Sequence, residues 1–257
     1  MSATLMITCF QRDELLRKGL WSIKRQPLHL IDGLRILVIN DGLPCETKSI
    51  CDEYGVDYLY TGQRNEKKIH WRMMGYPINY AVKHHVDSDI IMISSPEIWH
   101  VNDAILPLVS GVESDPDALT IPEGREDKTK LYIENLDSQE SWNKCITLNT
   151  KIPFLMAFRR DRFMDIGGYD EEFTGSGFED NDIVDRLVAN GGHFVQTESK
   201  IVHLYHGSGA YRHVENKRAP GRYEHNMALY RAKKGIINRN VGVEWGENTY
   251  VEKIDTI

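Results

Sequence analysis

Cysteine is scarce in this chain and scattered. Cys9, Cys45, Cys51 and Cys145 form no Cys-x-x-Cys pair, so a zinc site is not expected and the thiols read as inert. Long apolar runs are missing too. Nothing approaches the roughly 20 residues that a bilayer-spanning helix requires, and the N-terminus has no basic-then-apolar signal pattern. A cytoplasmic protein without a membrane anchor is expected. Basic residues are not in surplus: the net charge is -7, which argues against a broad nucleic-acid surface while leaving room for a local basic groove. There is no internal repeat and no low-complexity segment. With 41% hydrophobic and 27% charged residues over 257 positions, the chain suits one large α/β domain or two small ones.

What is present begins with an alternation of strand and helix signals. Residues 4–10 read as a buried strand, and Gln11-Arg12-Asp13-Glu14 opens a helix carrying Leu15, Leu16, Leu20 and Ile23. A second strand over 34–39 ends in Asn40-Asp41-Gly42, a helix covers 46–54, and residues 56–60 form a third strand. This order predicts a parallel sheet with right-handed crossovers. Ligands of such sheets bind beyond the carboxyl ends of the strands. Arg12, Asp41 and the turn at Gly62-Gln63-Arg64 all fall there. Further on, 105–112 reads as helix, 118–121 as strand and 122–150 as a polar segment. Residues 193–197 and 199–203 read as two strands that lead to His203 and His206.

The most concentrated chemistry is Gly177-Phe178-Glu179-Asp180-Asn181-Asp182. Apolar residues at 183, 184, 187 and 188 follow at helical spacing, and Asn190-Gly191-Gly192 supplies a stop. Three carboxylates thus crowd the first turn of a short amphipathic helix, where the helix dipole favours negative charge. That number exceeds what capping needs. Mutual repulsion is expected to raise the pKa of one of them against the opposing influence of the helix start, leaving a usable general base.

Ala157-Phe158-Arg159-Arg160, Ile166-Gly167-Gly168-Tyr169-Asp170-Glu171-Glu172-Phe173, the Gly-Phe-Glu-Asp-Asn-Asp run and His203-Leu204-Tyr205-His206 occur in a telling order. In this order and spacing, residues 154–206 resemble the carboxyl-terminal half of inverting glycosyltransferases of the GT-A fold, family 2 and its galactosyltransferase-like relatives. The resemblance implies a Rossmann-like α/β fold with a central, mostly parallel sheet flanked by helices in a single domain. It implies transfer of a hexose or pentose from a nucleotide diphosphate sugar, UDP-sugar favoured, to a hydroxyl acceptor with inversion. Asp180 matches the family's base, with Glu179 beside it on the donor sugar or acceptor. The first half is also similar to family 2. Asp41 after the second strand and Arg12 would hold the nucleoside, and Asn79, at the end of a helix before the fourth strand (89–93), would also contact the donor. Arg64, Arg212 and Arg218 complete the expected donor contacts.

One departure stands out. Family 2 members end the fourth strand in an Asp-x-Asp pair that holds a divalent metal, whereas this chain reads Ser94-Ser95-Pro96-Glu97-Ile98-Trp99-His100. Glu97 is the remaining hard oxygen anion there and His100 a possible nitrogen ligand. By analogy with related enzymes, His203 or His206 would complete a site for Mn²⁺ or Mg²⁺, whose necessity the altered motif leaves open. The expected layout is a domain over 1–235 and a tail over 236–257. Within the domain lie a nucleotide-binding half (1–100), an acceptor and catalytic half (101–206) and a mobile basic loop (207–225) suited to closing over the diphosphate. The acceptor would be a glycan or small molecule. Two rival readings are transfer to a modified base of DNA and a non-catalytic nucleotide-sugar-binding module.

Overall fold

Three strands near the start of the chain carry apolar residues at nearly every position, and this pattern requires cover on both faces. In the computed structural model, which describes residues 1–42, 44–62, 74–173, 177–206, 222–247 and 253–255, those strands form the centre of the sheet. β1 (Ala3–Cys9) lies between β2 (Leu34–Asn40) and β4 (Ile90–Ser94), parallel to both, with Leu5 flanked by Ile36 and Met92. β3 (Asp57–Tyr60) extends the parallel set beside β2. α1 (Asp13–Lys24) and α2 (Thr47–Tyr54) make the crossovers, and α3 (Gly75–His84) precedes β4.

Alternation along the strands divides the core into two layers, because successive side chains point to opposite faces. Leu5, Ile7, Val38 and Met92 pack with Leu16, Leu20 and Ile23 of α1, Ile50 of α2 and Leu108 of α4 (Ile105–Ser114). Met6, Leu37, Ile39 and Ile91 pack on the other face with Ile78, Ala81 and Val82 of α3 and with Ile183 and Leu187 of α8 (Glu179–Ala189).

Beyond β4 the sheet continues through β8 (Leu155–Arg159), β6 (Ala118–Glu126), β9 (His193–His203) and β5 (Ile98–His100). β4 with β8 and β5 with β9 are antiparallel, while β6 and β9 are parallel. The two strands read from 193–197 and 199–203 are one. Their apparent break is an irregularity in the β6 pairing, where Ile121 faces Gln196 but Glu123 already faces Lys200; Pro122, which has no N–H to give, sits at the shift.

The segment read only as polar contains α5 (Leu131–Glu134), α6 (Gln139–Lys144) and β7 (Ile146–Thr147). Trp142 of α6 is buried with Trp99, Tyr132 and Leu204. α7 (Arg160–Asp165), α9 (Arg222–Ala232), the edge strand β10 (Lys253–Asp255) and a 3-10 turn at Leu28–Leu30 complete the described elements. Among the described residues no helix is long and apolar enough to cross a membrane.

Residues 236–247 have a clear structural role that their sequence did not disclose. They lie across the Gly-Gly-Tyr-Asp-Glu turn as a strap. Asn240 Nδ2 donates to the carbonyls of Gly167 and Tyr169 at 2.7 and 2.8 Å, and its Oδ1 accepts the Glu171 N–H at 3.1 Å. Gly246 N–H donates to Glu171 Oε1 at 2.9 Å, and Lys83 Nζ donates to the Trp245 carbonyl at 2.5 Å.

Candidate active site

The carboxyl ends of β1, β2 and β3 meet at Asp41. Its N–H donates to the Cys9 carbonyl at 3.2 Å, and Thr61 Oγ1 donates to Asp41 Oδ1 at 2.5 Å. Asn40 beside it caps the turn by accepting from Gly42 N–H at 2.9 Å. Asp41 is 2% exposed, so its carboxylate is set rigidly at the end of the parallel strands that the βαβ order indicated.

A second group gathers on the other side of β1. Arg12 stands at the start of α1. Its Nε lies 3.1 Å from Glu97 Oε1 and its Nη2 lies 3.3 Å from His206 Nδ1. Glu97 is brought to the histidines by the β5–β9 pairing, in which Ile98 faces His203 and Leu204 N–H donates to the Glu97 carbonyl at 2.8 Å. The His203 and His206 rings meet edge-on with centroids 5.0 Å apart, and Phe154 closes on His203 at the same distance. Burial, with the nearby positive charges of Lys128 and Arg12, pushes the His203 imidazole down to about 3; burial also lowers His206. Both rings are therefore neutral near pH 7 and present lone pairs. His203 Nδ1 is buried and has no hydrogen-bond partner among the described residues.

His100, the other nitrogen weighed from the sequence, is not part of this group. It is wholly buried against Ser22, whose Oγ lies 2.8 Å from its Nδ1, and burial drives its pKa down to about 3. It is a core residue.

The acidic run starts α8, as its spacing indicated. Gly177 has φ +113°, and a Cβ there would meet the Tyr223 ring at 3.0 Å. Backbone freedom and close packing both call for glycine. Phe178 takes a left-handed conformation (φ +70°) and packs against Tyr223 and Tyr230 of α9, with ring centroids 5.1 and 5.5 Å away. The three carboxylates have separate surroundings. Asp182 is buried in an ionic network. Arg186 Nε lies 2.7 Å from one of its oxygens and Arg239 Nη2 lies 2.7 Å from the other. Glu179 is 6% exposed.

Asp180 is half-buried and accepts a hydrogen bond from the Tyr169 hydroxyl at 3.2 Å. Its carboxyl is pushed up to about 6 by burial, against the opposing effect of the Tyr169 hydrogen bond. Mutual repulsion was the expected cause of a raised pKa. The structure replaces it with desolvation, because Arg186 and Arg239 neutralise Asp182.

Asn79 does not face a donor. It lies within α3, fully buried, and its amide is committed to the turn that carries Tyr169. Nδ2 donates to the Tyr169 carbonyl and to Glu171 Oε1, both at 2.9 Å, and Oδ1 accepts the Tyr169 N–H at 2.8 Å. Arg64, Arg212, Arg218 and nearly all of the 207–225 loop lie outside the described residues.

Residues that sequence reasoning passed over are Tyr169, Arg239 and Asn240. Arg239 and Asn240 bond to residues far away along the chain, and Tyr169 reaches Asp180 over a separation of 11 residues that matches no single helix turn or strand alternation, so no local periodicity marks them. The Gly-Gly pair before Tyr169 was the one available signal. Gly168 has φ +65°, and a Cβ on it would meet Asn79 Oδ1 at 2.5 Å and the Trp245 ring at 2.6 Å.

Residues 139–207 match the family model described as the N-terminal domain of galactosyltransferase. No curated protein sequence matches the chain. Among solved structures, GalNAc-T7 with UDP, GalNAc and Mn²⁺ superposes with a TM-score of 0.60 at 16% identity, covering 81% of this chain and 45% of that one. TarS residues 1–349 from S. aureus superposes with a TM-score of 0.56 at 15% identity, covering 94% of this chain and 67% of that one. This chain thus spans less than half the length of the GalNAc-T7 chain, and at such identities the likeness is one of fold. The protein has the GT-A glycosyltransferase fold.

Proposed function

We propose that the protein transfers a sugar from a nucleotide diphosphate sugar to a hydroxyl acceptor with inversion, with Asp180 as the base. The observation that carries this reading is the state of Asp180: a half-buried carboxylate on the first turn of α8, with its pKa pushed up to about 6. Ionised near pH 7 yet more basic than an ordinary carboxylate, it is tuned for proton abstraction. The acceptor oxygen attacks the anomeric carbon from the face opposite the diphosphate. The bond between that carbon and the diphosphate oxygen breaks, and the acceptor proton passes to Asp180. The products are the inverted glycoside and a nucleoside diphosphate.

In this reading residues 1–100 hold the nucleotide and residues 101–206 supply the acceptor side and the base. Asp41, fixed at the strand ends, accepts hydrogen bonds from the nucleoside. Arg12 brings positive charge toward the diphosphate. UDP is the favoured nucleotide, supported by the UDP bound to the structurally similar GalNAc-T7. An Asp41→Ala variant is expected to bind the donor several-fold more weakly, about the loss of one buried hydrogen bond. Calorimetry with UDP-sugars checks this, and unchanged affinity would return Asp41 to the role of a turn residue.

A divalent ion is part of the proposal. Among the described residues no three His, Cys, Asp or Glu side chains are disposed as a ready ligand set, and Arg12 bonds to both Glu97 and His206. The donor chemistry nevertheless suits such an ion: one carboxylate, two imidazoles held neutral, and a buried His203 Nδ1 with no hydrogen-bond partner among the described residues. Glu97, His203 and His206 would hold it, and it would supply positive charge for the leaving diphosphate. Imidazole ligands favour Mn²⁺ over Mg²⁺. Mn²⁺ is therefore expected to raise the melting temperature and the transfer rate more than Mg²⁺, and His203→Ala to abolish both effects. Full activity in excess chelator would contradict this and leave Arg12 as the source of positive charge.

A further inference from the structure

We infer that Tyr169 is a positioning residue for Asp180, its buried hydroxyl aiming the carboxylate, and that the 236–247 strap holds Tyr169 in place. This rests on the reading of Asp180 as the base.

The geometry begins with the hydroxyl. Tyr169 is 0% exposed, and its hydroxyl stands 3.2 Å from Asp180 Oδ1. Its ring packs edge-on against Phe163 at 6.1 Å. The backbone of Tyr169 is gripped from two sides: Asn79 takes its N–H and its carbonyl, and Asn240 of the strap donates to the same carbonyl at 2.8 Å. A ring fixed in this way leaves its hydroxyl little freedom, and the Asp180 carboxylate gains a fixed donor. A hydrogen bond to one carboxylate oxygen sets the plane of the group and with it the direction of the other oxygen.

The hydroxyl remains a donor throughout the working pH range. Burial, reinforced by the negative charges of Asp180 and Glu179, holds the Tyr169 pKa well above its ordinary value. Donation to the ionised form of Asp180 favours that form and opposes the effect of burial.

Charged and titratable groups surround Asp180 on several elements. On α8 they are Glu179, Asp182 and Arg186, with Asp182 bound to Arg186. On the preceding turn stands Asp170, bound to Lys233 and Arg239. On α9 is Tyr230, which hydrogen-bonds Asp185 of α8. On the strap Arg239 binds Asp182. Asp182 and Asp170 are paired with Arg186, Arg239 and Lys233, and the Tyr169 hydroxyl is a neutral donor on Asp180.

The test is Tyr169→Phe, which keeps the ring and removes the hydroxyl. The midpoint of Asp180, followed by the ¹³C shift of its carboxyl, is expected to rise by up to about one unit, a tenfold change in its ionisation equilibrium. The acid limb of kcat/KM should move with it, kcat near neutral pH should fall several-fold, and KM for the donor should stay constant. Asn240→Ala, which leaves the hydroxyl but removes the strap's hold on the Tyr169 carbonyl, should shift the Asp180 midpoint the same way by less, and it serves as the measurement if Tyr169→Phe does not fold. An unchanged Asp180 midpoint in the variant that folds overturns the inference. Its failure is separable from that of the base assignment, because Asp180→Asn tests the latter by rate and the carboxyl titration needs no activity.

Discussion

Asp180→Asn is expected to lose about 10²–10⁴-fold in transfer rate, the usual range for removing a general base, while still binding donor and gaining stability above pH 6. The two changes share one cause. In the folded protein the carboxyl is pushed up to about 6, above the ordinary value of 3.8, mainly by burial. A group whose folded pKa is raised contributes stability that is fully present below about pH 4. That contribution is lost as the pH rises through about 6, because ionising the buried carboxylate is unfavourable. Asparagine never ionises and keeps an oxygen to accept from Tyr169. The variant should therefore be more stable than the natural protein at pH 8 by about 1–3 kcal/mol, with the difference vanishing near pH 4. Melting curves at the two pH values, read beside the transfer rate, check both halves. A variant that folds and transfers at the natural rate would reduce the acidic run to a helix cap.

Arg239→Ala is expected to be the most damaging single substitution outside the site. Arg239 is 5% exposed, and its guanidinium lies 2.7 Å from Asp182 and 2.9 Å from Asp170, themselves 3% and 1% exposed. Arg186 and Lys233 each hold one of these carboxylates as well, both at 2.7 Å. Removing one cation leaves two buried anions short of charge and hydrogen bonds, which typically destabilises by about 3–5 kcal/mol. The same change frees the strap from α8 beside Asp180, so activity should fall with stability. Urea denaturation gives the magnitude. A loss below about 1 kcal/mol would mean that the network is solvated or redundant.

The parts of the molecule that were legible in the sequence share a physical property. β1, β2 and β4 are apolar runs buried on both faces, and α8 shows its apolar stripe and its stop, so short-range pattern determines them. Asp41 and Arg12 were placed at the sheet's carboxyl edge by the strand–helix order alone. Glu97 and His206 both contact Arg12 and His203 lies beside His206, an arrangement that depends on the β5–β9 pairing, which neither segment reveals by itself; among the described residues these side chains form no ready metal-ligand set. The misreadings were of groups whose role is set by a distant partner. Asn79 was assigned to a donor and serves the Tyr169 turn, His100 was weighed as a ligand and is sealed against Ser22, and Asp182 was counted with the repelling carboxylates although two arginines neutralise it. The strap was unreadable for the same reason. Arg239 and Asn240 make their bonds to residues some 55–75 positions earlier, where periodicity carries no information.

Sugar transfer with Asp180 as the base can be read from the release of nucleoside diphosphate from UDP-sugars in the presence of Mn²⁺, with the natural protein and Asp180→Asn side by side. The natural protein is expected to release nucleoside diphosphate from at least one donor, faster with a hydroxyl acceptor, and the variant at least a hundredfold less at equal donor occupancy. Donor bound by both proteins but released by neither, or released equally by both, would contradict it.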